Sequence, residues 1–264
     1  MTILYIGDVM GEPGIEVVGK VLPALKRANQ VNLVIAQAEN VSDGKGMLPA
    51  DMKRLQKLGI DFFTGGNHTP KRDEIKPLLE DDDQPVIGPA NMHGCPGKGW
   101  KYIQTTQGFV LVISLLGETF GNHKPEINNP LKAIDEILKK NDDKKHIATI
   151  VNFHGDYSSE KRIIGYYLDG RVTAVIGDHW HVPTADAMVL PKGTAHITDV
   201  GMCGSLHSSL GVKLETVIAR WRDGVINKNE LANEGPAQFN AVLIESDDKT
   251  GLSLSIQPIQ KVIT

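Results

Sequence analysis

The chain has 264 residues, enough for a large hydrophobic core in one or two domains. Its composition is that of an ordinary globular protein, and its net charge of -4 argues against a general nucleic-acid-binding surface, though not against a nucleotide-sized ligand. Two cysteines are too few for a thiolate metal site, and an N-terminal strand without a basic leader predicts a cytoplasmic protein. The longest apolar run, residues 109–116, is far shorter than the roughly 20 residues of a membrane helix.

Strands and helices alternate over the first 80 residues. Runs of apolar residues predict buried strands at 3–6, 33–36 and 60–63. Helical spacing predicts one helix that opens at 11–14, a second from Pro49 to a stop at Gly59, and a third at about 73–79. This rhythm of βαβ units predicts parallel strands with right-handed crossovers.

The rest of the chain is more mixed. After a Gly/Pro-rich loop at 89–99, the pattern predicts strands at 102–105, 109–116, 146–151, 172–177, 187–190, 194–200, 241–245 and 252–256. Helices are expected at 128–140, 158–168 and 214–221. No repeat or linker divides the chain, so we predict one domain, residues 1–264, of two packed sheets with helices outside.

Polar side chains follow five of the predicted buried strands. They are Asp8, then Glu39 and Asn40, then Asn67 and His68, then His154, and finally His179 and His181. Taken singly, each has an ordinary explanation as a helix cap, a turn residue or a hydrogen-bonded core histidine. Parallel strands, however, bring their carboxyl ends to one edge of a sheet, where ligands bind. The coincidence of all five predicts a metal site at that edge.

The histidine pair has its own geometry. His179 and His181 stand one residue apart after the strand at 172–177. In extended backbone, residues i and i+2 point the same way. We therefore expect both imidazoles to project side by side beyond the strand end.

The donor set is made of nitrogen and oxygen without sulfur, which suits Mn, Fe, Zn, Co or Ni. The candidate ligands outnumber those of a single tetrahedral site, so two ions are predicted, with Glu39 as the carboxylate between them. Two divalent ions carry more positive charge than Asp8 and Glu39 neutralise. This excess favours a hydroxide plus a phosphate group, and hence phosphoryl chemistry.

The assembled residues resemble the calcineurin-like metallophosphoesterases, through Gly7-Asp8, Gly66-Asn67-His68, His154 and the histidine pair. Further segments resemble the YmdB-type bacterial phosphodiesterases, over residues 1 to about 245. These segments are 6–9, 38–40, 159–161, 165–171, 184–186 and 197–202. The resemblance implies an α/β fold, a four-layer sandwich of two mixed sheets flanked by helices. It also implies hydrolysis of phosphodiesters, such as 2',3'-cyclic nucleotides, by a metal-bridging hydroxide.

The resemblance also implies how the ligands divide. One ion would be held by Asp8, Glu39, Asn40 and His181, and the other by Glu39, Asn67, His154 and His179. Met10 stands where general metallophosphoesterases carry a histidine, and Asn40 would fill that gap. Iron or manganese is favoured, while zinc, cobalt and nickel remain open.

Residues beside the ligands receive roles too. His68 is the candidate catalytic residue, as proton donor to the leaving oxygen or hydrogen-bond donor to the phosphate; orienting a neighbouring ligand is the alternative. Asp186 and Asp199 are candidates to hold imidazole tautomers, with a structural turn role as the alternative. Substrate-binding residues are not assigned.

Several residues depart from the YmdB-type pattern and leave substrate choice open. They are Thr69-Pro70, Asn152, Asp178, Trp180, Pro183 and His207. One alternative function is a phosphomonoesterase, with extra cationic contacts from Lys45, Lys71 and Arg72. The other is a metal-stabilised regulatory module for nucleotides or RNA with weak turnover. A small phosphoester or nucleotide is the expected partner, no membrane is involved, and a homo-oligomer is left open.

Overall fold

The structure, a computed structural model, describes residues 1–119 and 124–264. Within these ranges the strands are β1 Thr2–Ile6, β2 Asp8–Val9, β3 Leu33–Gln37, β4 Phe62–Thr64, β5 Trp100–Gln104, β6 Phe109–Leu116, β7 Ala148–His154, β8 Ala174–Asp178, β9 Met188–Val189, β10 Ala195–Ile197, β11 Met202–Ser205, β12 Ala237–Ser246 and β13 Ser253–Ile263. The α-helices are α1 Gly11–Ala28, α2 Pro49–Leu58, α3 Lys76–Glu80, α4 Pro130–Lys140, α5 Ser158–Tyr167 and α6 Leu214–Asp223.

The strands form two mixed sheets. The first has the order β2-β11-β12-β1-β3-β4, with β13 paired to β12. Its strands β1, β3 and β4 are parallel, while β12 runs antiparallel to β1, β11 and β13. The second has the order β5-β6-β7-β8-β10-β9, with β6, β7, β8 and β10 parallel and an antiparallel strand at each edge. The fold class predicted from the sequence is confirmed.

The core is arranged in layers that follow the two-residue period of the strands. In β1, Ile3 and Tyr5 pack in the cluster between the two sheets, whereas Leu4 and Ile6 pack on the face that α1 and α2 cover. In the second sheet, the outer faces of β6, β7 and β8 pack against α4 and α5. The result is a four-layer sandwich with buried apolar side chains between each pair of layers.

The layer between the sheets changes from apolar to polar along the parallel strands. In β7, Ala148 and Ile150 belong to the inter-sheet cluster, and the same face continues to Asn152 and His154. In β8 the face that carries Ala174 and Ile176 likewise continues to Asp178. The polar members are buried too, and the inter-sheet faces of these strands therefore end in a polar cluster.

The sequence located most elements to within a few residues, with some errors. The strands β2 and β11 were not predicted; they pair with each other and are short. The predicted strand at 194–200 is only Ala195–Ile197, whereas that at 252–256 extends over Ser253–Ile263 because it pairs along the whole of β12. The helix expected at 73–79 is a 3₁₀ turn, Asp73–Ile75, followed by α3.

The absence of a membrane helix was also predicted. Over residues 1–119 and 124–264, no helix combines the length and the apolar character that crossing a bilayer requires.

Asp186 ties the segment between β8 and β10 to the rest of the second sheet. Its carboxylate accepts hydrogen bonds from the hydroxyls of Thr184 and Thr198 at 2.7 and 2.6 Å, and it pairs with Arg162 of α5 at 3.0 Å. Burial by itself would raise the pKa of Asp186, but the hydrogen bonds from Thr198 and Thr184 outweigh it and lower the pKa from 3.8 to about 2.

This shift predicts a pH-dependent contribution to stability. Since the pKa of Asp186 is lower in the folded state, its contribution is complete above the ordinary pKa of 3.8 and is lost as the pH falls towards about 2. Asp186→Asn should therefore lower the free energy of unfolding at pH 7, and the difference from wild type should shrink as the pH falls below 4. Urea denaturation at several pH values measures this; a difference that does not vary with pH would contradict it.

Candidate metal centre

A first group of ligand-type side chains surrounds the imidazole of His154. The Nε2 atom of His154 lies 3.0 Å from Oε1 of Glu39 and 3.0 Å from Oδ1 of Asn67. The ring of His179 lies beside it, with 4.4 Å between the ring centroids. One ligand atom from each of Glu39, His154 and His179 falls within 4.8 Å of the others, a spacing that can hold one metal ion.

A second group lies at the end of the first sheet. Nε2 of His181 is 3.2 Å from Oδ2 of Asp8. The amide nitrogen of Asn40 donates a hydrogen bond to Oδ1 of Asp8 at 3.0 Å and lies 3.3 Å from the same His181 nitrogen. A carboxylate, an amide and an imidazole therefore meet at a second buried point.

The turn at Asn67 and His68 touches both groups. Asn67 contacts His154 as described above, and the backbone N–H of His68 donates to Oε2 of Glu39 at 2.7 Å. The ring nitrogen Nδ1 of His68 lies 2.7 Å from Oδ1 of Asn40 in the second group. All the site residues predicted from the sequence are thus brought together, each in contact with at least one other.

Two carboxylate oxygens indicate what the groups lack. Oδ2 of Asp8 and Oε1 of Glu39 are buried, and within the described residues neither accepts a hydrogen bond. Oδ2 of Asp8 nevertheless lies 3.2 Å from Nε2 of His181, and Oε1 of Glu39 lies 3.0 Å from Nε2 of His154. A buried carboxylate oxygen that accepts no hydrogen bond is costly, and a cation placed between carboxylate and imidazole removes that cost. The nitrogen and oxygen donors therefore fit divalent transition-metal ions.

The pKa shifts in the first group also indicate a place that stabilises positive charge. Burial alone would lower the pKa of His154, but the carboxylates of Glu39 and Asp178 outweigh it and raise that pKa well above its usual value. Burial alone would raise the pKa of Glu39, yet the charge of His154 lowers it. A proton on His154 is therefore stabilised at the position where the positive charge of a metal ion would be, and metal binding would release it.

The pKa values of His181 and His68 are shifted in opposite directions. At His181, burial would lower the pKa, but the Asp8 carboxylate raises it above the usual value. At His68, burial has the larger effect and lowers the pKa despite the attraction of Glu39. His68 is thus a neutral imidazole near pH 7.

The backbone of the histidine pair differs from the prediction. β8 ends at Asp178, and His179 and His181 have φ angles of 101° and 62°, so the expectation of an extended backbone is wrong. The rings consequently separate: His179 lies against His154 and places Nε2 3.2 Å from Oδ1 of Asp156, whereas His181 contacts Asp8. Positive φ is strained for residues with a side chain and concentrates at functional sites.

A buried ion pair holds this strained segment from behind. Nζ of Lys161, on α5, donates to the backbone oxygen of Asp178 at 2.6 Å and to Oδ2 of Asp199 at 2.7 Å, and neither charged side chain is exposed. Asp199 also accepts hydrogen bonds from the backbone N–H of Trp180 and of Gly201, each at 2.9 Å. The ammonium group lies 4.1 Å from the centroid of the Trp180 ring. The residues on both sides of His179 are therefore fixed.

Other carboxylates than expected contact the imidazoles. Asp186 and Asp199 were the candidates for holding tautomers, but Asp186 binds Thr184, Thr198 and Arg162, and Asp199 serves the ion pair. Instead, Asp178 lies 2.7 Å from Nδ1 of His154 and Asp156 lies beside His179. A signal for Asp178 exists in the sequence, because it continues the buried phase of Ala174 and Ile176; Asp156 carries none that we recognise.

The amide of Asn40 is turned away from the orientation a metal ligand needs. Its nitrogen faces Asp8 and His181, while its oxygen faces His68. A metal ligand must present the amide oxygen. A rotation of the amide by 180° exchanges the two atoms and would bring the oxygen to the second group and the nitrogen to His68.

One glycine is part of the first group. A Cβ atom on Gly66 would lie 2.4 Å from the His154 ring atoms Cγ and Cδ2 and 2.5 Å from Nε2. Only a residue without a side chain lets the backbone pass this close to the imidazole face. This close approach explains why the first residue of the Gly66-Asn67-His68 sequence is a glycine.

Comparison with known proteins decides the family. The family described as YmdB-like protein matches residues 4–259. The chain belongs to the YmdB-like family. Its relatives include the 2',3'-cyclic-nucleotide 2'-phosphodiesterase of Bacillus subtilis (strain 168), which is 38% identical over 98% of this chain and 96% of its own length.

Solved structures agree with this membership. A protein from Thermus thermophilus has a TM-score of 0.89 at 37% identity and covers 99% of both chains. A structure titled as a novel phosphatase from Mycoplasma pneumoniae has a TM-score of 0.91 at 31% identity, over 99% of this chain and 93% of its own. A 5'-nucleotidase precursor, also from Thermus thermophilus, has a TM-score of 0.54 at 14% identity and shares the fold alone.

The close approach at Gly66 gives a prediction. Gly66→Ala must displace the His154 ring and should weaken binding of Mn²⁺ at least tenfold while the protein still folds. Gly19→Ala is the matched control, because the added Cβ lies in α1 and meets only the flexible Leu58 side chain at 3.3 Å. Calorimetric titration with Mn²⁺ measures the effect; equal affinities of the two variants would contradict it.

The buried ion pair of Lys161 and Asp199 gives a second prediction, on stability. Lys161→Met leaves the Asp199 carboxylate buried without its cation, which should cost about 3–5 kcal/mol of the free energy of unfolding. Lys161→Met combined with Asp199→Asn removes both charges and should recover part of that loss. Urea denaturation of the two variants measures the difference; a single variant as stable as wild type would show that the pair does not hold this segment.

Proposed function

We propose that this chain is a metal-dependent phosphodiesterase acting on small phosphodiesters, with 2',3'-cyclic nucleotides as the first substrates to test. The observation that carries the proposal is the pair of adjacent buried groups. Each has a carboxylate oxygen that faces an imidazole nitrogen and accepts no hydrogen bond from the residues that the structure describes. The name of the Bacillus subtilis relative supports the choice of substrate.

The two groups suggest how two ions would be held. Asp8, Asn40 and His181 would hold one ion, and Asn67, His154 and His179 the other, with Glu39 shared between them. Iron or manganese is proposed first, and zinc, cobalt or nickel also suits these donors. Such ions, when bound, supply a nucleophilic water at neutral pH and stabilise charge on the phosphoryl oxygens.

His68 is the proposed proton donor to the leaving oxygen. Its ring lies at the border of the site, with the side chain 30% exposed, and its lowered pKa makes it a neutral imidazole near pH 7. A neutral imidazole donates from only one nitrogen. With the Asn40 amide rotated as a metal ligand requires, the amide nitrogen donates to Nδ1 of His68, and the proton of His68 resides on Nε2, free of that contact.

The charge balance favours a diester over a monoester. The sequence indicated two carboxylates at the site, Asp8 and Glu39. The structure adds Asp156 and Asp178, which contact ligand imidazoles, so four negative charges would balance the charge of two divalent ions. A phosphomonoester carries more negative charge than a diester and needs further cations. Arg72 does not readily supply one, because its guanidinium donates to the backbone oxygens of Ser42 and Lys45.

A substrate panel tests the proposal. With Mn²⁺ added, the protein should hydrolyse bis-p-nitrophenyl phosphate and 2',3'-cyclic nucleotides faster than p-nitrophenyl phosphate. Asn67→Ala should abolish turnover, and His68→Ala should lower kcat by about 10²–10⁴-fold with a smaller effect on Mn²⁺ affinity. Faster turnover of the monoester would overturn the diesterase proposal, and binding of cyclic nucleotide without hydrolysis of any ester would favour a regulatory module.

A further inference from the structure

We infer that Asp178 is a positioning residue that fixes the imidazole of His154 with Nδ1 protonated and Nε2 presented to the metal centre. The inference rests on the metal centre proposed above and adds a residue that makes no contact with the ions themselves. In the sequence Asp178 stands out only as a departure from the YmdB-type pattern; its place in the structure gives it a role.

The register of the second sheet places the two side chains together. β7 and β8 are parallel, and His154 stands opposite Asp178 in the pairing. Registered partners project from the same face of a sheet, here the face between the two sheets. Oδ1 of Asp178 lies 2.7 Å from Nδ1 of His154, and both side chains are completely buried.

This contact determines which ring nitrogen carries the proton. A carboxylate can only accept, so Nδ1 of His154 must donate. In the neutral imidazole the lone pair is then on Nε2, the atom that lies 3.0 Å from both Glu39 and Asn67. Gln37 Nε2 also approaches Nδ1, but at 3.3 Å, and as a donor it cannot replace the carboxylate.

Asp178 is itself held in place from several directions. Its Oδ2 atom accepts hydrogen bonds from Nδ2 of Asn152 at 2.5 Å and from the hydroxyl of Tyr5 at 3.1 Å. Lys161 holds its backbone oxygen. The pKa of Tyr5 is raised well above its usual value, by burial first and by the charge of Asp178 next, so the phenol stays protonated as a donor. Asn152 likewise supplies a donor without a second negative charge.

With an ion bound, the arrangement would be a carboxylate–imidazole–metal triad, in which Asp178 holds Nδ1 of His154 and Nε2 faces the ion. Such a partner orients the ring and increases its basicity as a ligand, and its loss typically weakens metal binding by about 10–100-fold. The two side chains that donate to Oδ2 of Asp178, Asn152 and Tyr5, are neutral and add no second negative charge beside it.

Three variants separate positioning from packing. Asp178→Ala removes the acceptor and should weaken Mn²⁺ binding by about 10–100-fold. Asp178→Asn keeps one acceptor oxygen for His154 but turns an amide group towards the donors of Asn152 and Tyr5, so it should recover only part of the affinity. Asp169→Ala is the matched control, because it removes another buried carboxylate, which accepts hydrogen bonds from the backbone of Lys192 and Thr194, and leaves the contact between Asp178 and His154 intact. Mn²⁺ titration calorimetry and metal content per chain are measured, with thermal melts of the metal-free variants to confirm folding.

A spectroscopic signature completes the test and does not depend on the alanine variant. In Zn²⁺-loaded protein with ¹⁵N-labelled histidine, the Nδ1 proton of His154 should resonate far downfield because its acceptor is a carboxylate, and it should move upfield in Asp178→Asn. An unchanged resonance would overturn the inference, as would an Asp178→Ala protein that binds Mn²⁺ as tightly as wild type. If the wild-type protein binds no divalent ion, that result overturns the proposed metal centre and not the contact by which Asp178 fixes the His154 ring.

Discussion

The site depends on one geometric constraint, the two-residue period of the strands that face the layer between the sheets. Along β7 and β8 the same face that carries Ile150 and Ile176 in the apolar core carries His154 and Asp178 at the strand ends. A register shift of one residue would turn these polar side chains towards the helices and bury others in their place. The packing of the core and the position of the ligands are therefore fixed by the same pattern.

The segment after β8 shows what such a site costs. His179 and His181 occupy left-handed backbone, which is unfavourable for residues with a side chain. The buried pair of Lys161 and Asp199 is also not an obvious source of stability, because removing two charges from water is expensive. Its hydrogen bonds to the backbone on either side of His179 give it another use, which is to hold a conformation that the local sequence does not favour.

The sequence predicted the fold class and the assembly of the site residues, because both follow from local patterns: apolar runs that end in polar residues. It did not predict the contact between His154 and Asp178, which joins two strands through their register, nor that of Asp156 with His179. It also offered Asp186 and Asp199 as carboxylates that contact the imidazoles, with a turn role as the alternative, whereas Asp178 and Asp156 make those contacts. Such choices depend on which strands are neighbours and on backbone angles, and neither is visible in spacing along the chain.

The turn at Asn67 and His68 gives the two groups a common mechanical element. Asn67 lies against His154, and His68 joins Glu39 through its backbone and Asn40 through its ring. A displacement of this short turn at one group would therefore act on the other. Were each group to hold an ion as proposed, binding of one ion would change the free energy of binding the other, and by reciprocity the reverse would hold with the same magnitude.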